Sequence, residues 1–485
     1  MQPDPFVASR NATTTGHAFA IGAALVLAAA LLWLAGGRAA PSRASAVGTD
    51  EQAVLLQVEA LHAQASARRV QGDSQGAARA LAASTTLLDG LRTRAPFQPE
   101  VLRQLGNNAY WLGQLSKDRG DLGGAAVHWQ AYLELAGQLS RLQPANAAWW
   151  IERSYALNNL GSLATARGEW ARAAHAFTRS IALKRRALAA RPDDAGLLVD
   201  LADSYSWLGM AREALGQLAA AEQWYGHEMA LVARLRAQAP HDTLRRHREV
   251  RALWRRGALL MVRGDDAAAL ADLRAAARGF VAILGVEPEN RIWRVEQASV
   301  ALRIEDILGR MPEDHDAAGA SARLAAIHAR LSRLQQLDAG QRGWAQIEAA
   351  ARIRLGAALL REGRVDAARR HARAAAVRLD ALVAGAAGNV GLRVATAGAL
   401  LLLADIDAAL GEPGGARRAC RRAHALLKDA GSGGRDHRVL DPWVRTTLCL
   451  GEQDAARLAA ARLHAIGYLD GDYRHFLSTR LKGQP

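Results

Sequence analysis

The sequence predicts an all-α solenoid of antiparallel helix pairs, preceded by one transmembrane helix. Three observations predict it. Glycine recurs at Gly72, Gly120, Gly168, Gly216 and Gly264, a step of 48 residues, and Pro96, Pro144, Pro192, Pro240 and Pro288 keep the same step, as do Ala77, Ala125, Ala173, Ala221 and Ala269. A run from Ala18 to Gly36 is entirely apolar or glycine. The 485-residue chain is 50% hydrophobic but only 5% aromatic, with alanine and leucine dominant; both are strong helix formers, and small side chains let helices approach closely. A fixed period in this range marks stacked units that bury their apolar faces on one another. Such a chain is a binding scaffold rather than an enzyme.

The amino-terminal tail, residues 1–16, precedes the expected transmembrane helix at 17–37. No Asp, Glu, Lys or Arg occurs from Asn11 to Gly37. At about 1.5 Å per residue the run from Ala18 spans about 28 Å, close to the hydrocarbon core of a bilayer. Trp33 falls near its far end, where an interfacial indole is favoured. Ala44-Ser45-Ala46 looks like a signal-peptide cleavage site, but the apolar run exceeds the usual h-region and only Arg10 supplies a basic side chain before it. A retained signal anchor is the expectation. Arg10 on one side and Arg38 and Arg43 on the other nearly balance. A short tail that stays cytoplasmic gives a single-pass protein of a bacterial inner membrane with its repeats in the periplasm; the cytoplasmic orientation stays open. Residues 38–49, with Pro41 and small side chains, read as a flexible tether.

Within the repeat, a second glycine precedes the turn glycine by seven, as in Gly113/Gly120, Gly161/Gly168, Gly209/Gly216, Gly257/Gly264 and Gly356/Gly363. The first glycine admits a close helix partner. The second ends the first helix in a left-handed turn. Asp73, Asp121, Glu169, Gln217 and Asp265 follow it, near a helix start where acids are favourable. The alanine marks the helix crossing, and a bulky residue (Leu81, Trp129, Phe177, Tyr225, Leu273) fills the gap between the helices. Proline ends the second helix, because the residue before it avoids helical geometry.

These spacings resemble the tetratricopeptide repeat over about 400 residues. That family's unit has 34 residues, and here each helix looks longer by seven, nearly two whole turns, so its apolar face stays in phase. The resemblance implies a right-handed superhelical solenoid whose concave groove is lined by the first helix of each pair. Pairs are expected to begin near Asp50, Phe97, Ala145, Asp193, His241, Glu289, Gly340, Gly388 and Arg435. The register slips between Gly264 and Gly363, where MPEDHDAAGASARL (311–324) makes a longer, acidic inter-helix turn, and recovers at Gly411. Repeats therefore run over 50–434, with 435–485 a degenerate terminal repeat or cap that keeps a polar outer face.

Carried onto this chain, the family's groove positions fall on Asn107, Tyr110, Gln114, Lys117 and Asp118, then on Tyr155, Asn158 and Ser162, then on Asp203 and Ser206, and then on Arg251 and Trp254. Amides there would read a peptide backbone and aromatics would anchor side chains. His241, Arg245, Arg248, Arg251 and Arg255 form a helical stripe that would attract carboxylates or phosphates. Arg251 and Arg255 match two positions of the family's carboxylate clamp, but Trp207 stands where the clamp has asparagine.

The formal charge is +15, with 62 basic residues, of which only Lys117, Lys184, Lys428 and Lys482 are lysine. That bias fits GC-rich bacterial coding, and bases mixed with acids make a solvated face, so nucleic acid is not the expected partner. Cys420 and Cys449 have no metal-binding spacing; they read as two small buried residues, with a bridge open to them only in an oxidising compartment. No phosphate-cradling loop, nucleophile elbow or zinc motif occurs. The expectation is a non-catalytic scaffold without cofactor or metal, tethered by one helix and binding a protein or peptide. The alternative is the sensory half of a bacterial membrane signalling system without its own effector domain.

Overall fold

The computed structural model describes residues 49–310, 319–386, 388–431 and 434–480. The tail, the transmembrane segment 17–37 and nearly all of the tether lie outside these residues, as does most of the acidic turn at 311–324. Among the described residues no helix is long and apolar enough to cross a membrane.

The described chain is all-helical. Its helix pairs are α1 (Thr49–Val70) with α2 (Ser74–Arg94), α3 (Pro99–Asp118) with α4 (Leu122–Leu142), and α5 (Ala147–Ala166) with α6 (Trp170–Ala190). Then follow α7 (Ala195–Ala214) with α8 (Leu218–Gln238), α9 (Thr243–Val262) with α10 (Asp266–Val286), and α11 (Arg291–Leu308) with α12 (Ala320–Leu337). The last are α13 (Arg342–Arg361) with α14 (Val365–Ala384), α15 (Val390–Ala409) with α16 (Pro413–Gly431), and α17 (His437–Leu450) with α18 (Gln453–Ala465), followed by α19 (Gly471–Arg480). The chain divides into two compact units: repeats one to three, and repeats four to nine with α19.

The local chemistry of each repeat explains these boundaries. Every turn glycine takes the left-handed conformation, with φ from +70° at Gly216 to +83° at Gly451. Asp73, Asp121 and Asp265 cap the second helix, each carboxylate accepting from the backbone N–H three residues on. Glu169 and Gln217 make no such bond, since their longer side chains fit the capping geometry less well. The second helices α2, α4, α6, α8 and α10 all stop two residues before proline.

Helix crossing follows the same chemistry. Ala77, Ala125, Ala173, Ala221 and Ala269 are fully buried. A Cβ added at Gly209 would lie 2.5 Å from the Tyr225 ring, and one at Gly161 would lie 2.5 Å from Phe177. The bare glycine is therefore the socket into which the bulky residue of the second helix fits. Trp129, Phe177 and Tyr225 are among the largest side chains that are fully buried, and loss of such a ring typically costs about 3–5 kcal/mol.

In the unit of repeats four to nine, each first helix touches the next first helix, from α9 to α11, α13, α15 and α17. Second helices of adjacent repeats make no comparable contact. The first helices therefore form the inner layer of this unit and the second helices its outer layer.

The C-terminal region adds a contact that the sequence reading of 435–485, a degenerate terminal repeat or cap with a polar outer face, does not contain. Val439, Leu440, Trp443 and Val444 of α17, Leu463 of α18, and Tyr468 and Tyr473 enter one apolar cluster with Leu218, Ala221 and Tyr225 of α8 and Leu259 and Val262 of α9. The Leu469 N–H donates to the Val262 carbonyl at 2.8 Å. The polar tail becomes α19. The chain thus returns to repeats four and five, where the apolar side chains of its last pair are buried. A correction concerns the cysteines: Cys420 of α16 and Cys449 of α17 form a disulfide rather than two separate thiols.

Candidate partner-binding face

The first helices supply the candidate residues. In the unit of repeats one to three, Asn107, Tyr110 and Gln114 lie half-buried along α3, and Tyr155, Asn158 and Ser162 along α5, with Asn158 the most enclosed. The Tyr110 ring stands edge-on to Trp111 at 4.9 Å and to Tyr132 at 5.8 Å. The Arg69 guanidinium lies 3.2 Å over the Trp111 ring. Gln114 donates to Asp118 at 2.8 Å, and Lys117 reaches Ser162 at 3.5 Å, joining α3 to α5. Burial raises the Asp118 carboxyl, against the pull of Gln114 and Lys117.

A residue absent from the sequence expectations organises the start of this face. Asn108 is buried; its Oδ1 lies 2.6 Å from His62 Nε2, and its amide donates to Ser84 at 3.0 Å and Thr85 at 3.2 Å. It ties repeat two to repeat one. Burial, more than any charge, lowers the His62 pKa. The only sequence signal was Asn107-Asn108, where the groove pattern selects the first asparagine and the packing uses the second. Tyr132 likewise donates its hydroxyl to Glu152 of α5, a carboxyl raised by burial.

In the unit of repeats four to nine the polar residues of the first helices are committed to one another. Arg248 donates to Asp203 at 2.6 Å, linking α9 to α7. His247 meets Glu296 of α11 at 2.6 Å. Arg354 of α13 grips Asp306 of α11 with two bonds of 2.7 and 2.8 Å. Burial opposes ionisation of Asp306, but Arg354, with Arg303 and Arg310, holds its pKa below the ordinary value. Ser206 is buried, and Arg251 and Trp254 are half-buried, with Trp254 against the cluster of Met261, Leu273 and Phe280.

The arginine stripe is accordingly not four side chains held out for an external anion. Arg255 donates through Nε and Nη2 to the buried Glu228 of α8. Arg245 donates to the Leu235 carbonyl at 2.8 Å and lies 3.5 Å from Asp242, and Arg248 holds Asp203. The chain's own acids fill positions that a carboxylate ligand would take. The periodicity gave the stripe correctly, but its partners sit a repeat away.

No family model and no curated protein matches this chain. Solved structures similar to it include the apo form of RapI, at 9% identity and a TM-score of 0.43, covering 67% of this chain and 99% of that one. Another is a tetratricopeptide repeat protein from Parabacteroides merdae, at 17% identity and a TM-score of 0.35, covering 71% and 99%. A third is a Rap protein complexed with competence and sporulation factor, at 11% identity and a TM-score of 0.43, covering 88% and 99%. The helical-repeat character of this chain stands on its own turn glycines, caps and interdigitated rings.

Proposed function

We propose that this protein is a non-catalytic scaffold, tethered to a membrane by residues 17–37, that binds a peptide or protein segment along the first helices of its tetratricopeptide-like repeats. The observation that carries the reading is the layer arrangement. From α9 to α17, first helices of successive repeats touch one another. In the unit of repeats one to three, Lys117 of α3 reaches Ser162 of α5 and joins the two helices that carry Asn107, Tyr110 and Gln114. Aromatic anchors beside adaptable polar groups suit an extended or helical peptide.

The disulfide between Cys420 and Cys449 supports export of the repeats, because such bonds persist in oxidising compartments. With the apolar run from Ala18, it favours the periplasmic face of a bacterial inner membrane. The signalling alternative requires a separate effector that contacts residues 1–16.

Photocrosslinking in cells tests the reading. Probes at Asn107, Gln114 and Ser162 on the first helices are expected to capture one shared partner, and a probe at the exposed Arg172 of the second helix α6 is expected not to. Equal capture at Arg172 would sink the groove. A phosphatase or fluorescent reporter fused to the C-terminus reports the compartment, and activity on the cytoplasmic side would reverse the orientation.

A further inference from the structure

Some outer-layer arginines, Arg323, Arg369 and Arg422, hold in-chain carboxylates as inner-layer ones do, but six others do not. Inner-layer Arg248, Arg255 and Arg354 hold in-chain carboxylates. On the outer layer, Arg274 of α10, Arg373 of α14 and Arg421 of α16 each stand ten residues after a turn glycine (Gly264, Gly363 and Gly411). They occupy the same position in repeats five, seven and eight. Arg278, Arg330 and Arg378 stand on α10, α12 and α14 as well. All six are exposed, and among the described residues none of them is in an ion pair within 4 Å, although Arg373 acts through space on Glu412. Arg330 reaches only Gln297, at 3.4 Å.

Exposed aliphatic side chains stand beside these arginines. Val377 lies between Arg373 and Arg378 and is 71% exposed; Val281 follows Arg278 and is 64% exposed; and Leu337 ends α12 at 62%. The one aromatic ring of α10, Phe280, is fully buried; α12, α14 and α16 carry no Phe, Tyr or Trp, and their histidines His328, His371 and His424 are half-buried, His424 being stacked on Trp443. A face that stacked nucleic-acid bases would present aromatic rings. Guanidinium groups spaced among exposed aliphatic side chains instead match the boundary of a bilayer. There the fork of each guanidinium engages phosphate oxygens and the aliphatic groups meet the upper acyl region.

We propose that the outer face of α10, α12, α14 and α16 docks on an anionic phospholipid bilayer. The proposal rests on the tethered reading for one point alone, the nearness of a membrane: a tether of the length of residues 38–49 keeps a bilayer at high effective concentration. The charge pattern itself is independent of the anchor.

The test uses the full chain in nanodiscs of neutral phosphatidylcholine, mixed with sucrose-loaded vesicles. One set of vesicles is phosphatidylcholine alone, and the other contains roughly one third phosphatidylglycerol. Wild-type protein is expected to co-sediment with the anionic vesicles about tenfold better than with the neutral ones and to lose that advantage in high salt. The variant Arg373→Glu/Arg378→Glu/Arg421→Glu alters only exposed side chains, so its thermal unfolding is expected to match wild type while its co-sedimentation falls about tenfold. Equal sedimentation with both vesicles, salt-insensitive binding or an unaffected triple variant would overturn the proposal. So would preference for an oligonucleotide of equal charge, which would reassign the face to nucleic acid. The anchor is scored separately by resistance to alkaline extraction. A chain that extracts yet sediments sinks the tether alone; one that stays anchored yet fails to sediment sinks the docking face.

Discussion

The N–H of Leu469 donates to the carbonyl of Val262, and this one bond fixes the C-terminal segment against the turn of the fifth repeat. Gly264 lies beside it. A Cβ at Gly264 would sit 2.7 Å from the Leu469 carbonyl oxygen, whereas one at Gly411 would meet nothing within 4 Å. Both glycines have a left-handed φ, +80° and +73°, so alanine at either carries the backbone cost of roughly 1–2 kcal/mol. Gly264→Ala must also displace the chain at Leu469. Its loss of stability in urea unfolding is expected to exceed that of Gly411→Ala by about 1 kcal/mol or more. Equal losses would show that the contact is not tight.

Deleting residues 435–485 tests the return of the chain more broadly. In a simple solenoid the loss stays with the neighbouring repeat. Here Leu218, Tyr225, Leu259 and Val262 lose part of their cover. Amide hydrogen exchange is therefore expected to rise in α8 and α9 as well as in α16. Faster exchange confined to α16 would contradict the packing.

The Arg255–Glu228 pair separates a structural arginine from a ligand-binding one. Glu228 is buried and its pKa is raised by burial, with Arg255 opposing the rise. Arg255→Met leaves the carboxylate without its forked partner and is expected to cost about 3 kcal/mol at neutral pH. Removing Arg255 raises the folded-state pKa of Glu228 further. The deficit therefore shrinks as pH falls and the carboxyl protonates. A deficit that does not change with pH would point to lost packing alone.

His437 gives the closing segment its own pH dependence. It is fully enclosed, and burial first of all lowers its pKa to about 3. Glu213 lies 3.7 Å away and accepts a bond from Tyr225 at 3.0 Å. Because the folded state resists protonating His437, the unfolded state takes up that proton first as pH falls below the ordinary histidine value of 6.5. Stability is then lost at about 1.4 kcal/mol per pH unit down to about pH 3. Glu213 opposes this, since burial raises its pKa and folding favours its protonated form in acid. His437→Phe is expected to flatten the fall in unfolding free energy between pH 6 and pH 4; an unchanged slope would remove His437 as its source.

The disulfide closes a separation of 29 residues between α16 and α17. A loop of that size stabilises by about 3.5 kcal/mol when cross-linked. A reductant is expected to lower the unfolding midpoint of wild type and to leave Cys420→Ala/Cys449→Ala unmoved. No effect on wild type would mean that the bond does not form in the purified protein.

Much of the repeat was legible because its determinants are local. A left-handed turn needs glycine, a capping carboxylate lies within three residues of its target, and proline stops a helix wherever it falls. The bulky residue and its glycine socket, Tyr225 with Gly209 or Phe177 with Gly161, stand sixteen residues apart in one hairpin, so a single period reveals both. The candidate face was legible only as positions. Gln114 and Tyr110 fall on α3 as the spacing implies, but the pattern passed over Asn108, whose three partners lie in the preceding repeat.

By itself, the sequence determined that this protein is a stack of helix pairs, where each pair begins, and which glycines turn it, because those choices are made within one hairpin. Tertiary structure alone decided that Arg248 and Arg255 answer to Asp203 and Glu228, that Cys420 meets Cys449, and that the last pair returns to α8 and α9. These depend on how successive hairpins rotate against one another, and the summed rotation that brings Leu469 to Val262 is encoded in no single repeat.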